Sequence, residues 1–109
     1  MVNPHVGQMM LFAGKYAPSD WALCHGQLLQ IDQFQDLFTV IGTAYGGDGT
    51  STFALPDLRG CTAVGVGLNN VVLGRRDGSP SVSAGTGTFG TLGLGLNWCI
   101  SLAGPLPPT

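Results

Sequence analysis

Apolar and polar positions alternate along the chain in short blocks, too brief for long elements. "VGQMMLFAG" (6–14) is apolar and closes on glycine, which predicts a mostly buried strand. "YAPSDW" (16–21) interrupts it with Pro18, Ser19 and Asp20, the residue types of a turn. "WALCHGQLLQI" (21–31) places two short apolar runs on either side of His25-Gly26, read as a hairpin or a bend. One stretch carries a helical period. In "DQFQDLFTVIG", Phe34, Leu37, Phe38 and Ile41 fall at i, i+3, i+4 and i+7 and share one face. The spacing predicts a short helix over about residues 33–42, with its two phenylalanines laid on a sheet. Asp32 is the expected N-cap, Gln35 completes a capping-box pattern, and Gly42 is the expected C-terminal stop.

After the helix comes "AYGGDGTSTFALPDLRG" (44–60). A phosphate-binding loop of the Walker type needs Gly-Lys-Ser/Thr opening a helix, and here no lysine follows and "TFAL" is strand-like. A calcium loop of the EF-hand type needs a glutamate at its twelfth position, and the chain has no glutamate. The stretch therefore encodes backbone shape. Gly46, Gly47 and Gly49 supply freedom at positive φ, and Asp48-Gly49 is a turn pair. Pro56 ends the short strand, Asp57 is placed to accept backbone N–H groups, and Arg59 to pair with it or with a neighbour.

Beyond residue 60 glycine takes over. "AVGVGLN" (63–69) and "TLGLGLN" (91–97) share an apolar-Gly-apolar-Gly-Leu-Asn pattern, setting Gly65 and Gly67 against Gly93 and Gly95. In a strand, alternating glycine leaves one face bare, so that another backbone or a ring can come close. Between them "GRRDGSPSVSAGTGTFG" (74–90) reads as an exposed loop. Its Gly85, Gly87 and Gly90 form Gly-x-Gly-x-x-Gly, but no strand–turn–helix surrounds it, so it is not a dinucleotide fingerprint. "NWCISLAG" (97–104) is a last buried strand, and "PLPPT" an extended tail.

Charge changes the picture most. Only 9% of the 109 residues are charged, against roughly 25% in ordinary soluble domains. The bases are Lys15, Arg59, Arg75 and Arg76 and the net charge is -2, which excludes a binder that tracks phosphates. A surface this poor in charge, with 44% apolar residues and 18 glycines, is one made to touch other protein. The length fits one domain. Residues 1–62 and a Gly-rich β segment, 63–109, are read as two parts of the same unit. No stretch reaches the roughly 20 apolar residues of a membrane span, and the first residues lack the basic start of a secretory signal. Synthesis in the cytoplasm is the expectation.

Candidate chemistry is sparse. Cys24, Cys61 and Cys99 are odd in number and widely spaced, neither a disulfide framework nor a zinc pattern. They read as small buried hydrophobes, or as one disulfide and one thiol. Cys24 beside His25 is the one nucleophile–base pair in view, yet neighbours on a strand point to opposite faces. The reading is no enzyme, no cofactor and no metal.

Residues 7–60, from "GQMMLFAG" through "APSDWALCHGQ" to "YGGDGTSTFALPDLRG", resemble the phage tail collar domain, also found in bacterial microcystin-dependent proteins. That family runs close to Gly-x-Ile-x-x-Phe-Ala-Gly, Pro-x-x-Trp-x-x-Cys-Asp-Gly-Gln, a short helix, then Tyr-Gly-Gly-Asp-Gly and Leu-Pro-Asp-Leu-Arg-Gly. "LNWCISLAG" is similar to its closing segment. His25 departs from the family's aspartate and Cys61 from its arginine, and the long middle insert with its metal-binding His-x-His is missing.

The resemblance implies an α+β, β-rich fold with one helix, and a structural, self-assembling subunit of a tail fibre, tail particle or extracellular filament. The alternative is a module at a fibre tip that meets a surface glycan through the 74–90 loop, where Phe89 is the single aromatic. The implied partners are copies of the chain, as a trimer or filament, and other tail or fibre proteins, in a virion or extracellular particle. Gly65, Gly67, Gly93, Gly95 and Trp98 are the expected subunit contacts.

Overall fold

The computed structural model describes residues 4–67, 72–74 and 94–108. It is a small α+β fold, rich in strand, with two antiparallel sheets and one α-helix. The first sheet joins β1 (Met9–Phe12), β2 (Trp21–Leu23) and β5 (Asn97–Ser101) in the order β1-β5-β2. The second pairs β3 (Leu28–Gln30) with β4 (Thr52–Ala54). Helix α1 spans Gln35–Ile41.

The most distant strand in the chain holds the middle of the larger sheet. Met9 pairs with Ile100 and Met10 with Cys99 on one side of β5. Ala22 pairs with Ile100 and Leu23 with Cys99 on the other. Paired residues of an antiparallel ladder share a face. Met9, Ala22, Trp98 and Ile100 therefore form the side that packs into the core. Met10, Phe12, Leu23 and Cys99 form the opposite side, and Cys99 is fully buried there. Within the apolar run of β1, Met9 packs on the core while Leu11 is half exposed.

The core proper is Val6, Cys24, Leu37, Phe53, Leu55 and Ile100, each at most 1% exposed. Burying an aliphatic or aromatic side chain of this size contributes about 1.5–3 kcal/mol. Helix α1 meets β4 through Phe38 and Phe53, whose ring centroids lie 5.4 Å apart at 57°. The predicted helical face is the one used: Leu37 is fully buried, with Phe34, Phe38 and Ile41 packed half-buried around it.

The helix start differs from the expectation. Ile31–Gln33 form a separate 3-10 turn, and the α-helix begins after Phe34, which makes no side-chain cap. Asp32 is thus inside the 3-10 turn, too far upstream to cap α1, and the capping box with Gln35 does not form. The far end is as expected: Gly42 lies at φ 56 and its N–H donates to the Phe38 carbonyl at 2.8 Å.

His25-Gly26 is a bend. β2 and β3 belong to different sheets, and Gly26 at φ 77 carries the chain from one to the other. The Gln27 side chain fastens the bend, donating to the Leu23 carbonyl at 2.8 Å and accepting from the His25 N–H at 3.0 Å. Upstream, Trp21 N–H closes the expected turn on the Pro18 carbonyl at 3.0 Å. Asp20 sits at φ 66, a region that aspartate tolerates, and its carbonyl accepts from Leu102 N–H at 2.8 Å.

The glycine-alternating segments are not strands where the structure describes them. Residues 61–67 and 94–96 run without regular structure, and strand pairing starts at Asn97. Bare glycine gives such a segment no cross-strand side-chain contacts of its own. The 75–93 stretch, with Gly93 and most of the predicted loop, lies outside the described residues.

Candidate functional site

The glycine–aspartate turn is built around one carboxylate. Asp48 Oδ1 accepts the N–H groups of Thr50, Ser51 and Thr52, each at 2.9 Å. Its Oδ2 accepts the Ser51 hydroxyl at 3.1 Å. These bonds, from Thr52, Ser51 and Thr50 in that order of strength, hold the Asp48 carboxyl well below the usual carboxylate range. Gly49 N–H returns to the Thr52 carbonyl at 2.9 Å, and Ala54 N–H to the Gly46 carbonyl at 3.0 Å, so the loop closes directly onto β4. Gly47 lies at φ 96 with β4 pressed against it. A Cβ there would overlap the Phe53 backbone and sit 2.8 Å from the Thr52 carbonyl oxygen.

A second clasp follows where β4 ends. Pro56 is buried and its carbonyl accepts from Gly26 N–H at 3.1 Å. Asp57 and His25 form an isolated bridge. Arg59 donates to Asp57 from Nε at 2.9 Å and from Nη2 at 2.8 Å, and reaches the His25 carbonyl at 3.3 Å. Those bonds keep the guanidinium firmly charged. Gly26 gives Asp57 its place, because a Cβ there would meet Asp57 Cβ at 3.1 Å.

Cys24 ties this clasp to the sheet. Its N–H donates to the Trp98 carbonyl at 2.9 Å and its carbonyl accepts from Leu58 N–H at 3.0 Å. Its thiol is buried, and desolvation, with the nearby Cys99 second, pushes it up to about 12. A catalytic cysteine needs the opposite shift, so burial leaves the Cys24 thiol protonated rather than activated. All three cysteines are thiols; Cys24 and Cys99 are buried and Cys61 half-buried.

Of the residues singled out from the sequence, Gly46, Gly47, Asp48 and Gly49 close the turn and Pro56, Asp57 and Arg59 the clasp. Trp98 packs half-buried on the core. Gly65, Gly67 and Gly95 lie in exposed segments, where a Cβ would meet nothing within 4 Å among the described residues. Around them Val64, Val66, Leu94 and Leu96 are 43% to 84% exposed. Sequence reasoning passed over the joining role of the Cys24 backbone, the His25 carbonyl and Gln27. Backbone groups carry most of these contacts, and residue identity does not reveal them.

Among the described residues no cluster of histidine, cysteine or acid could hold a metal ion, and no helix is long and apolar enough to cross a membrane. What the geometry builds is a hydrogen-bonded frame, followed by uncharged segments that carry exposed aliphatic side chains. The chain is 35% identical over 92 residues to the short tail fiber protein gp12 of Enterobacteria phage T4. That match covers 84% of this chain and 16% of the phage protein. The Phage Tail Collar Domain family matches residues 7–63, from the start of the β1 segment through the Asp57–Arg59 clasp. The chain therefore belongs to the phage tail collar domain family.

Proposed function

We propose that the chain is a structural, self-assembling subunit of a phage-tail-like fibre, tail particle or extracellular filament, placed in the virion or particle beside other tail or fibre proteins. Family membership and the tail-fibre relative support the structural part of this reading. The observation that carries self-assembly is the exposed apolar surface after Gly60. Val64, Val66, Val72, Leu73, Leu94 and Leu96 are all more than 40% exposed. No charged residue occurs between Cys61 and Gly74 or between Thr91 and Pro108. A monomer in solution would leave these side chains wet, and uncharged stretches that expose several large aliphatic residues favour contact with other protein.

The glycine-alternating stretches that hold Gly65, Gly67, Gly93 and Gly95 are the proposed subunit contacts, with Trp98 supporting them from β5. The test is negative-stain microscopy of the purified chain together with multi-angle light scattering. Fibres, rings or discrete oligomers are expected. A dispersed monomer at high concentration overturns the reading.

A further inference from the structure

We infer that Asp48-Gly49 is a covalent modification site that the fold keeps shut. The folded turn blocks cyclisation of Asp48 onto the Gly49 nitrogen, and a chain that loses the turn converts Asp48 to isoaspartate.

The reaction needs only the two residues and water. Glycine has no side chain to shield its backbone nitrogen, so an Asp-Gly pair is open to it. The Gly49 nitrogen attacks Asp48 Cγ. An N–C bond forms, the C–OH bond of the protonated carboxyl breaks, and the hydroxyl leaves as water with the amide proton. The resulting succinimide ring then takes up water. Addition at the side-chain carbonyl restores aspartate. Addition at the main-chain carbonyl breaks the original peptide bond and leaves the chain running through Cβ and Cγ, with a free carboxylate on Cα.

Burial does not prevent this, because Asp48 and Gly49 are both exposed. Hydrogen bonding does. The nucleophile is occupied: Gly49 N–H donates to the Thr52 carbonyl at 2.9 Å, which holds its proton and turns it toward β4. The electrophile is occupied as well. Oδ1 accepts the N–H groups of Thr50, Ser51 and Thr52, each at 2.9 Å, and Oδ2 accepts the Ser51 hydroxyl at 3.1 Å. Those bonds favour the ionised carboxylate, which has no hydroxyl to lose and resists attack. They also fix its orientation, so that Cγ reaches the Gly49 nitrogen only after they open. Asp48 N–H, bonded to Thr52 Oγ1 at 3.3 Å, and Gly47, pressed on β4 at φ 96, hold the backbone on the other side.

The change is one-way for the fold. Isoaspartate lengthens the backbone by a methylene and moves the carboxylate off the side chain, away from the point where the three N–H groups converge. A chain that has once lost the turn is thereby marked and cannot rebuild it in the same form.

The full chain is aged in warm neutral buffer, native and in urea at the same pH, and isoaspartate at residue 48 is quantified by electron-transfer mass spectrometry. The native chain is expected to gain it at least about tenfold more slowly than the unfolded chain, since the bonds of the turn must open first. A second measurement does not wait for this slow chemistry. Hydrogen exchange followed by NMR reads the Gly49 amide directly, and slowing of at least about tenfold over the unfolded chain is expected. Equal isomerisation in the native and unfolded chains overturns the inference, and so does a Gly49 amide that exchanges at the unfolded rate.

Discussion

Arg59 grips Asp57 at two points, 2.9 and 2.8 Å, while its Nη2 also reaches the His25 carbonyl at 3.3 Å. One planar fork thereby joins the end of the β4 segment to the bend that connects the two sheets. Lysine offers a single ammonium and cannot reproduce this geometry. Arg59→Lys is expected to lower the melting temperature slightly, and Arg59→Ala no more than modestly further, because the guanidinium is largely in solvent. Equal melting of Arg59→Lys and wild type would show that the fork carries no weight.

Gly47 and Gly65 make a matched pair of opposite sign. Alanine at 47 would be strained at φ 96 and would strike the Phe53 backbone. Gly47→Ala is expected to cost about 2–4 kcal/mol of unfolding free energy. Alanine at 65 meets nothing described and needs no unusual φ, so Gly65→Ala is expected to leave folding stability within about 0.5 kcal/mol. Urea titrations of both variants decide the point.

The aromatic contact of helix α1 is uneven. Phe53 is fully buried and Phe38 half-buried, although their rings touch. Phe53→Ala is expected to cost about 3–5 kcal/mol, the range for a fully buried ring. Phe38→Ala should cost about half of that, below the figure the helical pattern alone implies for a fully buried ring. Leu37→Ala, at the centre of the core, should fall at about 2–5 kcal/mol. Denaturant melts that rank Phe38 above Phe53 would contradict this packing.

Acid should loosen the Asp48 turn. The carboxyl is held below its ordinary value by three backbone N–H groups, so the folded state favours the ionised form. A depressed value means that the stabilisation is present above the unfolded value, near pH 4, and is lost as pH falls through the folded one. Wild-type stability should therefore drop below about pH 4. Asp48→Asn should be less stable at neutral pH and flatter across the acid range. Parallel pH profiles for the two proteins would remove Asp48 from the account.

Alkali acts through Cys24 with the opposite sign. Burial lifts its thiol from 9.0 to about 12. A raised value means that stability is fully present below pH 9 and is lost as pH rises toward 12. The native protein should react with iodoacetamide at the half-buried Cys61 well before Cys24 or Cys99, which are at most 1% exposed. Rapid labelling of Cys24 in the folded state would show that its burial is wrong.

Some of this architecture was legible in the residues. The i, i+3, i+4, i+7 set from Phe34 to Ile41 specified the helix face, and Gly42 its end, because both depend on neighbours a few positions away. The Asp48 turn was legible for the same reason: its hydrogen bonds all fall within four residues. The helix start was not. A 3-10 turn before Phe34 displaced the capping box, and nothing in the spacing of Asp32 and Gln35 foretells which residue will leave the helical region.

By itself, then, the sequence determined the short elements, the glycine-shaped turn, the lack of charge and the motif order of a collar domain. Those properties rest on side-chain type and on contacts between near neighbours. Only the tertiary structure decided that β5 sits between β1 and β2, that Cys24 fills the core while Cys99 lies on the far side of the sheet, and that Arg59 closes on His25. It also left Gly65 and Gly95 uncovered among the described residues. These outcomes depend on pairing across 34 to more than 80 positions of chain. Such pairing is settled by which apolar faces can be buried together, a property of the whole fold and of no local stretch.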